Sequence, residues 1–79
     1  MSLKFIGKDP ESQGGNCPTV LVDDETYDLV FQAWKADKKT EDGCKEFGTL
    51  PETEGVFRIP VSMVQMIREA CDVAERRGL

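Results

Sequence analysis

The chain contains no histidine, and that limits what its other polar residues can do. Histidine is the usual general base near neutral pH and the usual nitrogen ligand for a metal. Without it, Ser2, Ser12 and Ser62 have no base to activate a hydroxyl. Cysteines stand at 17, 44 and 71. No two of them have the two-to-four-residue spacing of a zinc knuckle, and an odd number leaves at least one thiol unpaired within a monomer. Cys17 lies between Asn16 and Pro18, with no adjacent cation to stabilise a thiolate. Carboxylates are plentiful, but none falls in an apolar stretch that would raise its pKa toward neutrality. The run Asp23-Asp24-Glu25-Thr26-Tyr27-Asp28 lacks the alternating ligands, central glycine and distal glutamate of a calcium loop. Gly14-Gly15 lacks the Gly-Lys-Ser/Thr ending and the helix of a phosphate loop. These patterns predict no catalytic residue, no metal ligand and no cofactor.

What remains is surface, and the elements decide which side chains reach it. Seventy-nine residues, 39% of them apolar and 32% charged, fit one small domain over 1–79 with a thin core. Residues 3–6 read as a short edge strand. Residues 7–18, rich in Gly, Pro, Asn, Asp and Ser, read as an irregular loop. The β-branched run 19–23 is a strand. After a polar turn at 24–27, residues 28–35 form its hairpin partner. Segment 36–55 is polar, with Thr40 capping a short helical turn that Gly48 ends. Residues 56–59 form a further strand stopped by Pro60.

The C-terminal segment has the clearest helical pattern. Ser62 and Gln65 have capping-box spacing, and Val61 and Met66 suit a hydrophobic staple. Met63, Met66, Ile67, Ala70 and Ala74 recur at helical intervals, and Val64 and Cys71 extend the stripe. Cys71 thus reads as a small core residue. The expected fold is α+β, a three- or four-stranded antiparallel sheet with one C-terminal amphipathic helix packed on it.

One helix covers one face of such a sheet. Side chains alternate along a strand, so Val30, Gln32 and Trp34 oppose Leu29, Phe31 and Ala33, and both sets are largely apolar. Trp34, Val30, Gln32 and Val56 form the candidate interaction surface. Either the segments 7–18 and 36–55 fold over it or a second molecule does. A domain under about 80 residues rarely reaches more than roughly 3–5 kcal/mol from its own core, which favours a homodimer with Trp34 near the interface centre. The net charge of −5 argues against direct nucleic-acid binding. No apolar run reaches the roughly 20 residues of a membrane span, and no signal-peptide pattern opens the chain. With unpaired thiols, this suggests the cytoplasm.

The motifs Gly7-Lys8-Asp9-Pro10-Glu11-Ser12, Pro18-Thr19-Val20, Gln32-Ala33-Trp34-Lys35 and Arg58-Ile59-Pro60 resemble a group of small, uncharacterised actinobacterial proteins often encoded beside helix-turn-helix regulators. The similarity spans about residues 6–67, and segment 37–50 departs from the group's pattern. The resemblance implies a cytoplasmic accessory role and carries no catalytic residue with it. Two functions are therefore expected. The first is a non-enzymatic protein-interaction module, accessory to a transcriptional regulator. The alternative is a small-ligand-binding or thiol redox-sensing domain built on the loop Gly14-Gly15-Asn16-Cys17.

Overall fold

The β-branched residues of Thr19-Val20-Leu21-Val22-Asp23 are restricted at χ1 in the way a pleated surface favours. In the computed structural model, which describes residues 2–11 and 17–76, this segment is the central strand of a three-stranded antiparallel sheet. Strand β2 (Thr19–Asp23) lies between β1 (Leu3–Lys8) and β3 (Leu29–Gln32). A separate two-stranded ladder joins β4 (Trp34–Lys35) to β5 (Phe57–Arg58), with helix α1 (Lys38–Lys45) between them in sequence. A 3-10 turn over Val61–Met63 leads into helix α2 (Val64–Glu75). The expected α+β fold is the observed one, a three-stranded antiparallel sheet carrying the C-terminal helix.

Alternation puts Val20 and Val22 on one face of the sheet, and α2 covers that face. Val20, Val22, Met63 and Ala70 are fully buried, with Ile6, Leu29, Ile59, Met66, Ile67 and Val73 packed around them. A bulge in β1 makes the fit. Phe5 pairs with Leu21 and Gly7 with Val20, so Ile6 is the extra residue. The bulge turns both Ile6 and Gly7 toward α2 and leaves Phe5 on the opposite face. Gly7 is buried, and a Cβ there would lie 2.7 Å from Met66 Sδ. Gly7→Ala should therefore push Met66 out of its seat and destabilise by about 1–2 kcal/mol. Urea denaturation checks this, and an unchanged midpoint would show that the helix is not seated on the bulge.

Several local expectations are corrected. Strand β1 runs on to Lys8, because the bulge lets it keep pairing with Thr19. The expected strand 28–35 is broken at Ala33. Beyond Gln32, the next partner would be Pro18, which has no N–H to give and whose carbonyl already accepts from the Asp9 N–H at 2.9 Å. Trp34 and Lys35 turn away and pair with Arg58 and Phe57 instead. Thr40 does not cap α1. Asp37 does, its carboxylate accepting from the Thr40 N–H at 2.9 Å. The helix ends at Glu46, before Gly48.

At α2, Ser62 makes no capping bond. Its hydroxyl donates to Asp9 Oδ1 at 2.5 Å. Val61 is 87% exposed, so there is no staple. Cys71 is exposed and Val64 mostly so. At about 100° per residue these two lie on the flank of a stripe centred on Met63, Met66, Ile67 and Ala70.

The Asp37 cap also has a pH signature. Hydrogen bonds from Thr40, side chain first and then backbone, hold its carboxyl below the ordinary value of 3.8, helped by the nearby Arg58 charge. The ionised cap supports α1 above the ordinary carboxylate pKa, and that support is lost as pH falls through the lowered one. The amides of Thr40 and Glu41 should therefore shift in NMR spectra only at strongly acidic pH. Asp37→Ala should abolish that titration and the helical shifts of α1 at every pH.

Candidate functional site

Among the described residues, the buried ones fall within 7–22 and 63–70. No residue from 23 to 62 is buried. The segment that includes β4, α1 and β5 thus has no interior of its own. The radius of gyration is 14.1 Å, against about 12 Å for a compact chain of this length.

Aromatic side chains normally supply much of a core. Here the four phenylalanines and the tryptophan are all exposed, from 40% at Phe31 through 46% at Trp34 to 94% at Phe47. They are distributed over distinct places. On the sheet face away from α2, Phe5, Leu21 and Val30 form a direct cross-strand row. Leu3, exposed, continues it along β1. One step farther along the same face, Lys8, Thr19 and Gln32 form a polar row, and Lys8 Nζ donates to Thr19 Oγ1 at 3.2 Å. On the two-stranded ladder Trp34 stands opposite Arg58, and Lys35 opposite Phe57.

Alternation sends Phe57 to the other side of that ladder from Trp34. Val56, Phe57 and Ala36, with Lys35, Glu41 and Glu54, line an open groove of about 320 Å³ beside the ladder. Gly55 gives the Phe57 ring room to lie close to the chain. A Cβ would lie 2.7 Å from the Phe57 ring, which rests against the backbone there. Arg58 links the ladder to the helix, its guanidinium donating to Thr40 Oγ1 at 2.7 Å, and the Ala36 N–H donating to the Val56 carbonyl at 3.0 Å extends the ladder by one pair.

The four residues singled out from the sequence therefore do not form one patch. Val30 and Gln32 share the open face of the three-stranded sheet. Trp34 belongs to the second ladder, and the continuing Ala36–Val56 pairing puts Val56 on the same side of that ladder as Trp34. The break at Ala33 separates these two from Val30 and Gln32. Phe5, Leu21 and Phe57 were not singled out. Alternation within each strand was readable, but placing Phe5 beside Leu21 and Val30 needs the register and the bulge.

Cys44 on α1 and Cys71 on α2 are exposed. Cys17 is half-buried, and its carbonyl accepts the Thr19 hydroxyl at 3.0 Å. The rest of the expected sensing loop, Gly14 to Asn16, lies outside the described residues. Among the described residues, no three acidic or thiol side chains converge as metal ligands, and no helix is long and apolar enough to cross a membrane. No protein-family model, curated protein or solved structure matches the chain.

Proposed function

We propose that the chain is a non-enzymatic protein-interaction module, acting in the cytoplasm as a homodimer that attaches to a regulatory protein. The observation that carries this reading is the exposure of every phenylalanine and the tryptophan in a chain whose core consists of aliphatic residues and methionine. Aromatic side chains left in water lose stabilisation that burial would give. At protein interfaces the same side chains dominate the binding energy. The net charge of −5 steers encounters toward a basic partner surface. The resemblance to proteins encoded beside helix-turn-helix regulators gives that partner its class.

The test uses Trp34, the single tryptophan, as its own reporter. Titration with a purified helix-turn-helix regulator from the same organism should shift its emission to the blue and saturate. Trp34→Ala, followed by calorimetry, should weaken binding by about 2 kcal/mol, roughly 30-fold. No saturable change at high micromolar regulator would overturn the regulatory reading.

A further inference from the structure

We propose that two copies of the chain pair edge to edge through β3, antiparallel, with Val30 on the dyad. This rests on the reading of the chain as a self-associating module and adds the geometry of association.

In an antiparallel ladder, residues alternate between exchanging hydrogen bonds with a given neighbour and pointing away from it. The Asp9 N–H donates to the Pro18 carbonyl at 2.9 Å, and the Asp24 N–H to the Ser2 carbonyl at 3.0 Å. Even-numbered residues along β2 therefore bond toward β1. The Asp23 N–H donates to the Asp28 carbonyl at 2.9 Å, so odd-numbered residues bond toward β3. The two assignments are independent and agree. Since Leu21 pairs with Val30 and Thr19 with Gln32, Val30 and Gln32 are the β3 residues bonded to β2. Leu29 and Phe31 direct their N–H and C=O groups outward, and no hydrogen bond within the described residues reaches them.

An added antiparallel strand must meet Leu29 and Phe31 with residues that also point outward. For a second β3 one register uses all of these groups. Leu29 faces Phe31 of the copy, Val30 faces its own equivalent, and Phe31 faces Leu29 of the copy. Four N–H···O=C bonds form, and the sheet becomes six-stranded. On the open face, the row Phe5–Leu21–Val30 runs on into its copy. On the α2 face, Phe31, which stands opposite Val20 yet is 40% exposed, packs on Leu29 of the copy.

The two edges of the sheet differ in the features that control pairing. Strand β3 (Leu-Val-Phe-Gln) has no charge, no proline and no bulge, and in this register Asp28 faces Gln32, so no like charges meet. Strand β1 carries Lys4, Lys8 and the bulge, features that discourage an added strand. One open edge and one blunted edge give a closed dimer rather than a growing sheet.

The test is sedimentation of the full chain over a concentration series, with two variants. The wild type should show a reversible monomer–dimer equilibrium. Val30→Lys places like charges face to face on the dyad and should raise the dimer Kd by about 100-fold or more. In a background with the three cysteines changed to serine, Val30→Cys should crosslink under mild oxidation. Residues facing each other in a non-hydrogen-bonded pair have Cα atoms about 4.5 Å apart, within disulfide reach. Leu29→Cys faces Phe31 of the copy rather than itself and should crosslink far more slowly.

A wild-type dimer that survives Val30→Lys, fails to crosslink through Val30→Cys and dissociates with Trp34→Ala would overturn edge pairing and leave self-association standing. A wild type that stays monomeric at high micromolar concentration would overturn both, and the regulator titration would then decide the interaction reading separately.

Discussion

Met63→Ala is expected to destabilise the protein by about 2–5 kcal/mol, the range for truncating a fully buried methionine. Met63 is 1% exposed and heads the fully buried side chains by volume. It closes the 3-10 turn from which α2 starts, in the cluster with Val20, Val22 and Ala70. Its side chain packs with Val20 and Val22 of β2 and Ala70 of α2. A single core in a domain of this size contributes roughly 3–5 kcal/mol net, so the variant should lie at the margin of folding at 25 °C.

Urea titrations followed by far-UV circular dichroism measure the effect. They should be run at low protein concentration, because association with a second copy adds stability by mass action. Val61→Ala is the control. Two positions earlier and 87% exposed, it should change stability by less than about 0.5 kcal/mol. A Met63→Ala loss below about 1 kcal/mol would mean that α2 is not docked on β2 as described.

The two residues also show what was legible in the sequence. Helical spacing placed Met63, Met66, Ile67 and Ala70 on one stripe, and the structure packs that stripe on the sheet. The same spacing admitted Val64 and Cys71, because apolar periodicity does not show where a stripe's edge falls. Strand β2 was readable because its residues have little choice. Strand β3 was readable only to Gln32, since what stops it is Pro18, a residue distant in sequence that cannot extend the ladder. The candidate surface suffered most from this. Val30 and Trp34 alternate correctly on paper, but one irregular residue between them removes the common face. The open face was half visible, through Val30. Its other members, Phe5 and Leu21, depend on a bulge that no local pattern announces. The cap of α1 was misplaced by three residues because Asp37 and Thr40 are both good capping residues, and only the backbone conformation chooses between them. Asp37 is extended, with ψ at 169°.

The Ser62–Gln65 spacing suits a cap, but Asp9 claims the Ser62 hydroxyl. Asp9→Ala should cost about 3 kcal/mol. Asp9 is a carboxylate with only 4% of its surface exposed. Its Oδ1 accepts from the Glu11 N–H at 3.1 Å and from the Ser62 hydroxyl at 2.5 Å. Its own N–H closes the end of the β1–β2 ladder on the Pro18 carbonyl. A buried carboxylate without donors is strongly destabilising, so the Ser62 hydroxyl is drawn to Asp9 rather than to the start of its own helix. The resulting bond joins residues 53 apart in sequence and fixes the entry to α2 against the end of β1.

Hydrogen bonds to a charged group contribute roughly 1.5–3 kcal/mol each. Losing these two and what else holds Asp9, offset in part by no longer burying a carboxylate, leaves a net figure of about 3 kcal/mol. Ser62→Ala should cost about 2 kcal/mol, because it leaves the buried carboxylate short of one donor. The double variant should be less destabilised than the sum of the two, by about 1–2 kcal/mol, since either substitution removes the shared bond. Additive losses in that cycle would show that the Ser62 hydroxyl does not hold Asp9.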